Sequence, residues 1–148
     1  MIGEWKNNLK EFLKLLNVGC DTVSISDIDS ENSLIGFLVA NNILININEP
    51  KSECESVNLF HKIIEIFREN GEELPKYFDE SAVCDDENVL EILCFLREYY
   101  LNVLNKQIMI TDNIRDRYLI CIVPKEFENR ICTLSFQLGI PLVEIQNY

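Results

Sequence analysis

The stretch Gln107-Ile-Met-Ile-Thr-Asp-Asn-Ile-Arg-Asp-Arg-Tyr118-Leu-Ile-Cys-Ile-Val123-Pro124 decides the fold. Residues 107–111 and 118–123 are apolar, β-branched runs, and the polar stretch between them reads as a turn. That pattern predicts an antiparallel hairpin with a loop of five or six residues. Pro124 closes the second strand. Beyond it, Phe127, Ile131, Leu134 and Leu138 fall at i, i+4, i+7 and i+11, which marks one face of a helix over 125–138. Gly139 suits a left-handed cap, and residues 141–145 read as a last strand. A strand, a helix and another strand in succession admit a right-handed parallel crossover.

Working back from this unit, Val89, Leu93, Leu96, Tyr100, Val103 and Leu104 predict a long inward-facing helix from Asp85 or Asp86 to about Asn105. Val57, Phe60, Ile63, Ile64 and Phe67 predict another, starting near Ser52 or Cys54 and stopped by Asn70-Gly71. Residues 43–47 read as a strand, and Leu34, Phe37 and Leu38 belong to a short helix capped by Asp29 or Ser30. Trp5, Leu9, Phe12, Leu13 and Leu16 give the first helix, over 3–17. Residues 21–26 fit a short strand or a loop equally well. The expected order is α-α-β-α-α-β-β-α-β, an α/β (α+β) chain with about five helices on a four-stranded mixed sheet. The length of 148 residues suits a single domain over 1–148.

Composition excludes several functions. With 25 acidic and 13 basic residues the formal net charge is -12, which disfavours nucleic acid and anionic membrane as partners. A single His limits chemistry built on His pairs. The first 16 residues carry charges and no apolar signal core, and no run is long enough for a membrane span, so the expectation is a cytoplasmic protein. Six cysteines lack any CxxC spacing, which points to reduced thiols rather than a zinc site.

Candidate chemistry is sparse. Asp27-Ile-Asp29-Ser-Glu31 opens like a calcium loop, but Asn32 and Leu38 stand where that loop needs Gly and Glu, so it reads as a helix cap. No phosphate-binding glycine loop or nucleophile elbow is present. No cofactor and no metal are expected. An enzyme of unrecognised type could use His61 with Glu65 four residues on, a cysteine such as Cys20 or Cys54, or the Asp112/Asp116 loop. A homo-oligomeric adaptor, joined through an apolar strand edge or helix face, is a further alternative.

The charge distribution is more informative. Residues 21–98 hold 18 acidic and 5 basic side chains, net -13, while residues 1–20 are at +1 and residues 99–148 at zero. The densest part surrounds an aromatic pair: Tyr77 and Phe78, followed by Asp79, Glu80, Asp85, Asp86 and Glu87. Aromatic anchors within an acidic rim suit a basic protein partner, the rings supplying buried area and the charge steering encounter.

Two resemblances follow. The helix-into-strand run SLIGFLVANNILININEP and the ending QIMITDNIRDRYLICIVPKEFENRICTLSFQLGI resemble a family of small uncharacterised bacterial α/β proteins, over about 34–70 and 88–145. That likeness implies a fold and no site residues. In size, acidity and lack of catalytic motifs the chain also resembles bacterial immunity proteins, which neutralise toxin domains. The resemblance implies a non-catalytic partner of a basic, nuclease-like toxin, bound through the seven residues just named.

Overall fold

The computed structural model describes residues 2–16, 27–48, 50, 58–72, 74, 88–111 and 117–145. The elements are α1 (Ile2–Leu15), α2 (Glu31–Ala40), β1 (Leu44–Asn48), α3 (Leu59–Glu69), α4 (Val89–Tyr99), β2 (Lys106–Thr111), β3 (Arg117–Pro124), α5 (Glu128–Leu138) and β4 (Val143–Glu144). Two pieces that periodicity did not suggest join them: a π-helical turn at Tyr100–Leu104 and a 3-10 turn at Lys125–Phe127.

The sheet has strand order β1-β3-β2-β4. The hairpin forms as expected, with Ile108 opposite Ile122 and Thr111 opposite Leu119. The expectation of a mixed sheet is corrected: every neighbouring pair is antiparallel. β3 and β4 do run in the same direction, but β2 lies between them. The strand-helix-strand unit therefore crosses over one strand and creates no parallel pair. Sequence reading sees direction along the chain and not which edge is vacant, and the hairpin partner already occupies the place beside β3.

Helices cover both faces. Strand residues alternate between two apolar clusters, as period-two geometry requires. On the first face, Leu44, Met109, Leu119, Cys121 and Val123 pack with Leu9, Phe12 and Leu13 of α1, Leu34 and Leu38 of α2, and Ile131, Leu134 and Leu138 of α5. On the second, Ile45, Ile47, Ile108, Ile110 and Ile120 pack with Phe60, Ile63 and Phe67 of α3 and Ile92, Leu93 and Leu96 of α4. The chain is thus an α+β protein with the sheet as its middle layer. β1 lies at the sheet margin, yet Leu44, Ile45 and Ile47 are no more than 2% exposed. It is a covered edge, not an open template for strand addition.

Helix ends follow local chemistry. Ser30 caps α2, accepting from the Ser33 amide at 3.2 Å while the Ser33 hydroxyl accepts from the Ser30 amide at 3.0 Å. This reciprocal box begins within the Asp27–Glu31 stretch that opened like a calcium loop. Asn88 caps α4 by accepting from the Glu91 amide at 2.9 Å. Gly139 ends α5 at φ 85°, a left-handed cap; a Cβ there would lie 2.3 Å from Glu31 Oε1.

The π turn overturns one inward assignment. Tyr100 is fully buried, but Val103 is 63% exposed. Widening to i→i+5 bonding shifts the phase that would have turned Val103 inward. Asn105, at φ 54°, then ends the turn and lets the chain enter β2.

Candidate functional site

The acidic, aromatic segment is bounded by two firm anchors. Tyr77, Phe78, Asp79, Glu80, Asp85, Asp86 and Glu87 themselves lie outside the described residues, as do Asp112 and Asp116. On its N-terminal side, α3 is fixed by Ile63 and Phe67, both fully buried, and the chain turns away through Gly71 at φ 88°. Leu74 packs on the second cluster. On its C-terminal side the chain returns at Asn88, the cap of α4. Leu74 and Val89, the described residues flanking the segment, thus pack on the same face of the sheet.

Glu72 stands at the first anchor. Its Oε2 accepts from the Tyr100 hydroxyl at 3.3 Å. Burial pushes the Glu72 carboxyl above its usual range, opposed by Lys106 and by the tyrosine's hydrogen bond. The same burial, with the Glu72 charge, holds the Tyr100 phenol protonated. The pair closes the end of the apolar layer between α3 and α4.

A second polar cluster lies on the opposite face. Gln107, 1% exposed, projects from β2 among apolar neighbours. Its Oε1 accepts from the Ile108 amide at 3.1 Å and its Nε2 donates to Glu128 Oε1 at 3.3 Å. Glu144, opposite Met109 in β4, is the diagonal neighbour of Gln107 and hydrogen-bonds the Glu128 carboxyl. Desolvation first, then this bond and the Glu144 charge, push the Glu128 carboxyl up to about 7; Gln107 and Lys125 oppose them. A polar residue in an otherwise apolar strand was the available signal, at Gln107 and again at Glu144.

Among the described residues, the thiols are poor nucleophiles. Cys94, Cys121 and Cys132 are free. Burial raises the pKa of all three, Cys121 to about 12, and the Glu128 and Glu144 charges add to the effect at Cys132. A thiol needs the opposite shift to act as a thiolate at neutral pH. Cys94 is exposed on α4. Cys20, Cys54 and Cys84 lie outside the described residues. His61 is exposed on α3, its ring edge-on to Phe60 with centroids 5.9 Å apart. The described residues hold no group of three or more potential metal ligands.

An open pocket of about 440 Å³ is lined by Trp5, Lys6, Asp29, Ser30, Glu31 and Asn32. The Lys6 ammonium donates to the Ile28 carbonyl, and Trp5 Nε1 donates to the Leu138 carbonyl at 3.4 Å. These contacts fasten α1 to the start of α2 and the end of α5. No helix among the described residues is long and apolar enough to cross a membrane. No protein-family model matches the chain, and no curated protein or solved structure is significantly similar to it.

Proposed function

We propose that this chain is a non-catalytic, acidic binding protein of the immunity type. It neutralises a basic, nuclease-like toxin domain by covering the surface that holds nucleic acid. The observation that carries this reading is the charge map: the whole net negative charge falls within residues 21–98. Its densest part surrounds Tyr77 and Phe78. A surface of that kind repeats the charge of a polyanion and accelerates encounter with a basic partner. Leu74 and Val89, on either side of the segment in the sequence, both pack on the second cluster.

The test mixes this chain with a basic nuclease domain, sought first at the C-terminal end of the neighbouring open reading frame's product, at low and at physiological salt. Changing Asp79, Glu80, Asp85, Asp86 and Glu87 to Lys should slow association by at least tenfold at low salt and flatten its salt dependence. Unchanged association would remove this surface from the proposal. Tyr77→Ala and Phe78→Ala should instead speed dissociation.

A further inference from the structure

α2 and α3 end with the same device. Asn41 and Asn70 are their cap residues, and each side chain reaches back to a carbonyl one turn earlier. Asn41 Nδ2 donates to the Phe37 carbonyl and Asn70 Nδ2 to the Ile66 carbonyl, both at 2.8 Å. The next residue separates the two. Asn42 follows the first cap, at φ 60°, and Gly71 follows the second, at φ 88°. Asn70-Gly71 is the only Asn-Gly pair in the chain. Gly71 is exposed, and no described atom lies within 4 Å of where its Cβ would stand.

An asparagine followed by an unhindered amide can lose its side-chain nitrogen. Solvent base takes the proton of the Gly71 amide, and that nitrogen attacks Asn70 Cγ. The new C–N bond closes a five-membered imide, and the former side-chain nitrogen leaves as ammonia with the proton. Water then opens the imide at either carbonyl. One opening leaves aspartate; the other leaves isoaspartate, in which the main chain runs through the former side chain. Water is the one co-reactant, and no electron is transferred. At Asn42 a side chain crowds the corresponding nitrogen, so the Asn41 cap lacks this reactivity.

The cap of α3 opposes the attack at three points. The Gly71 amide is committed to the Arg68 carbonyl at 3.0 Å. The Asn70 amide group is held on the Ile66 carbonyl, which turns Cγ toward the preceding turn. Asn70 has ψ 12°, so the Gly71 nitrogen nearly eclipses the Asn70 nitrogen and stands away from Cβ. Closing the ring requires rotation about the Asn70 Cα–C bond. That rotation also pulls the Glu72 amide from the Phe67 carbonyl, which it meets at 3.0 Å. Attack therefore proceeds from a locally opened helix end.

We propose that Asn70-Gly71 is a guarded deamidation site: the cap of α3 suppresses its conversion, and conversion in turn dismantles the cap. Aspartate lacks the donor to Ile66 and sets a negative charge against the carbonyls of a helix C-terminus. Isoaspartate adds a carbon to the main chain, so the Gly71 and Glu72 amides no longer meet their carbonyls. Glu72 then leaves the place where it accepts from the Tyr100 hydroxyl. The change is one-way.

The full chain, held at pH 8 and 37 °C in buffer and in unfolding concentrations of urea, tests this by peptide mass spectrometry. In urea Asn70 should convert well ahead of Asn41. In buffer its conversion should be slower by roughly tenfold or more, because it waits on local opening. Equal rates in the two conditions would overturn the guard, and an Asn70 as inert as Asn41 in urea would overturn the site. The converted chain, separated by anion exchange on its added charge, then reports the consequence. Amide hydrogen-exchange protection at Gly71 and Glu72 should drop by roughly tenfold or more while the β2–β3 amides keep theirs. Protection retained at Gly71 and Glu72, or lost throughout the sheet, would overturn the local effect. The comparison of buffer with urea uses the unaltered chain and stands whether or not the converted chain folds.

Discussion

The two faces of the sheet differ in kind. Toward α3 and α4 the strands present Ile45, Ile47, Ile108, Ile110 and Ile120, all at 2% exposure or less. Toward α1 and α5 they present Leu44, Met109, Leu119, Cys121 and Val123, interrupted by Asn46, Gln107, Thr111 and Glu144. β-branched side chains suit a pleated surface, and a uniform isoleucine layer gains its stability from area and packing. Polar groups in a buried layer cost free energy unless paired. Some here are paired, as in the Gln107–Glu128–Glu144 cluster; Asn46 Oδ1 and Thr111 Oγ1 are buried without a hydrogen-bond partner. One face therefore behaves as scaffold, and it is the face from which the acidic segment leaves and returns. The other carries a buried polar cluster.

Truncation of the isoleucine side should do the most damage. Phe67 is fully buried between α3 and the sheet and touches the Tyr100 ring, their centroids 6.3 Å apart. Phe67→Ala should cost about 3–5 kcal/mol in urea unfolding, from lost transfer energy plus the cavity. A loss below about 1 kcal/mol would mean that α3 does not carry this layer.

The next largest effect lies on the mixed side. Gly139→Ala places a side chain at positive φ and drives it into the Glu31 carboxylate. The expected loss is about 2 kcal/mol. Adding Glu31→Ala should restore the part due to collision but not the part due to backbone strain. Full recovery in the double variant would show that the left-handed cap costs nothing here.

Tyr100→Phe probes the polar contact that closes the isoleucine side. It leaves the half-buried Glu72 carboxylate without its phenol donor, at a cost of about 1–2 kcal/mol at pH 8. The cost should shrink at pH 4, where Glu72, already raised by burial, is protonated. An equal loss at both values would assign the effect to packing and not to the hydrogen bond.

The two faces were not equally legible in the sequence. The helix stripes of Leu9, Phe12 and Leu13 and of Ile63, Ile64 and Phe67 announce their buried sides through 3.6-residue spacing. The hairpin announces itself through two β-branched runs. Periodicity does not encode strand order, so the crossover over β2 was read as a possible parallel pair. Nor does it encode a π turn, which shifts the helical phase within one step at Tyr100 and sends Val103 outward. The buried carboxyl cluster was hidden for another reason. Gln107, Glu128 and Glu144 are far apart in sequence, and only the antiparallel register beside β2 brings them together. The acidic segment was visible because charge is a local property of composition.

The smallest effect tests whether the mixed face carries two opposite responses to pH. Arg130 grips Glu11 with two hydrogen bonds of 2.6 Å between α5 and α1. The arginine's hydrogen bond holds the Glu11 carboxyl below its usual range. A depressed acid contributes stability above its unfolded value and loses it as pH falls through the folded one. Glu128 has the reverse sign: its burial costs little below the ordinary glutamate range and progressively more as pH climbs toward about 7. Glu11→Gln should thus lower the melting temperature slightly at pH 7 and not at pH 3, and the change should fade in high salt because both groups are exposed. Glu128→Gln should raise it at pH 8 relative to the unaltered chain, with the gain disappearing near pH 4. Opposite slopes from two glutamates on the same side of the sheet would establish that local surroundings, not residue type, set the response. Parallel slopes would mean that the Glu128 site is wetter than its hydrogen bonds imply, and the contrast between the faces would reduce to packing alone.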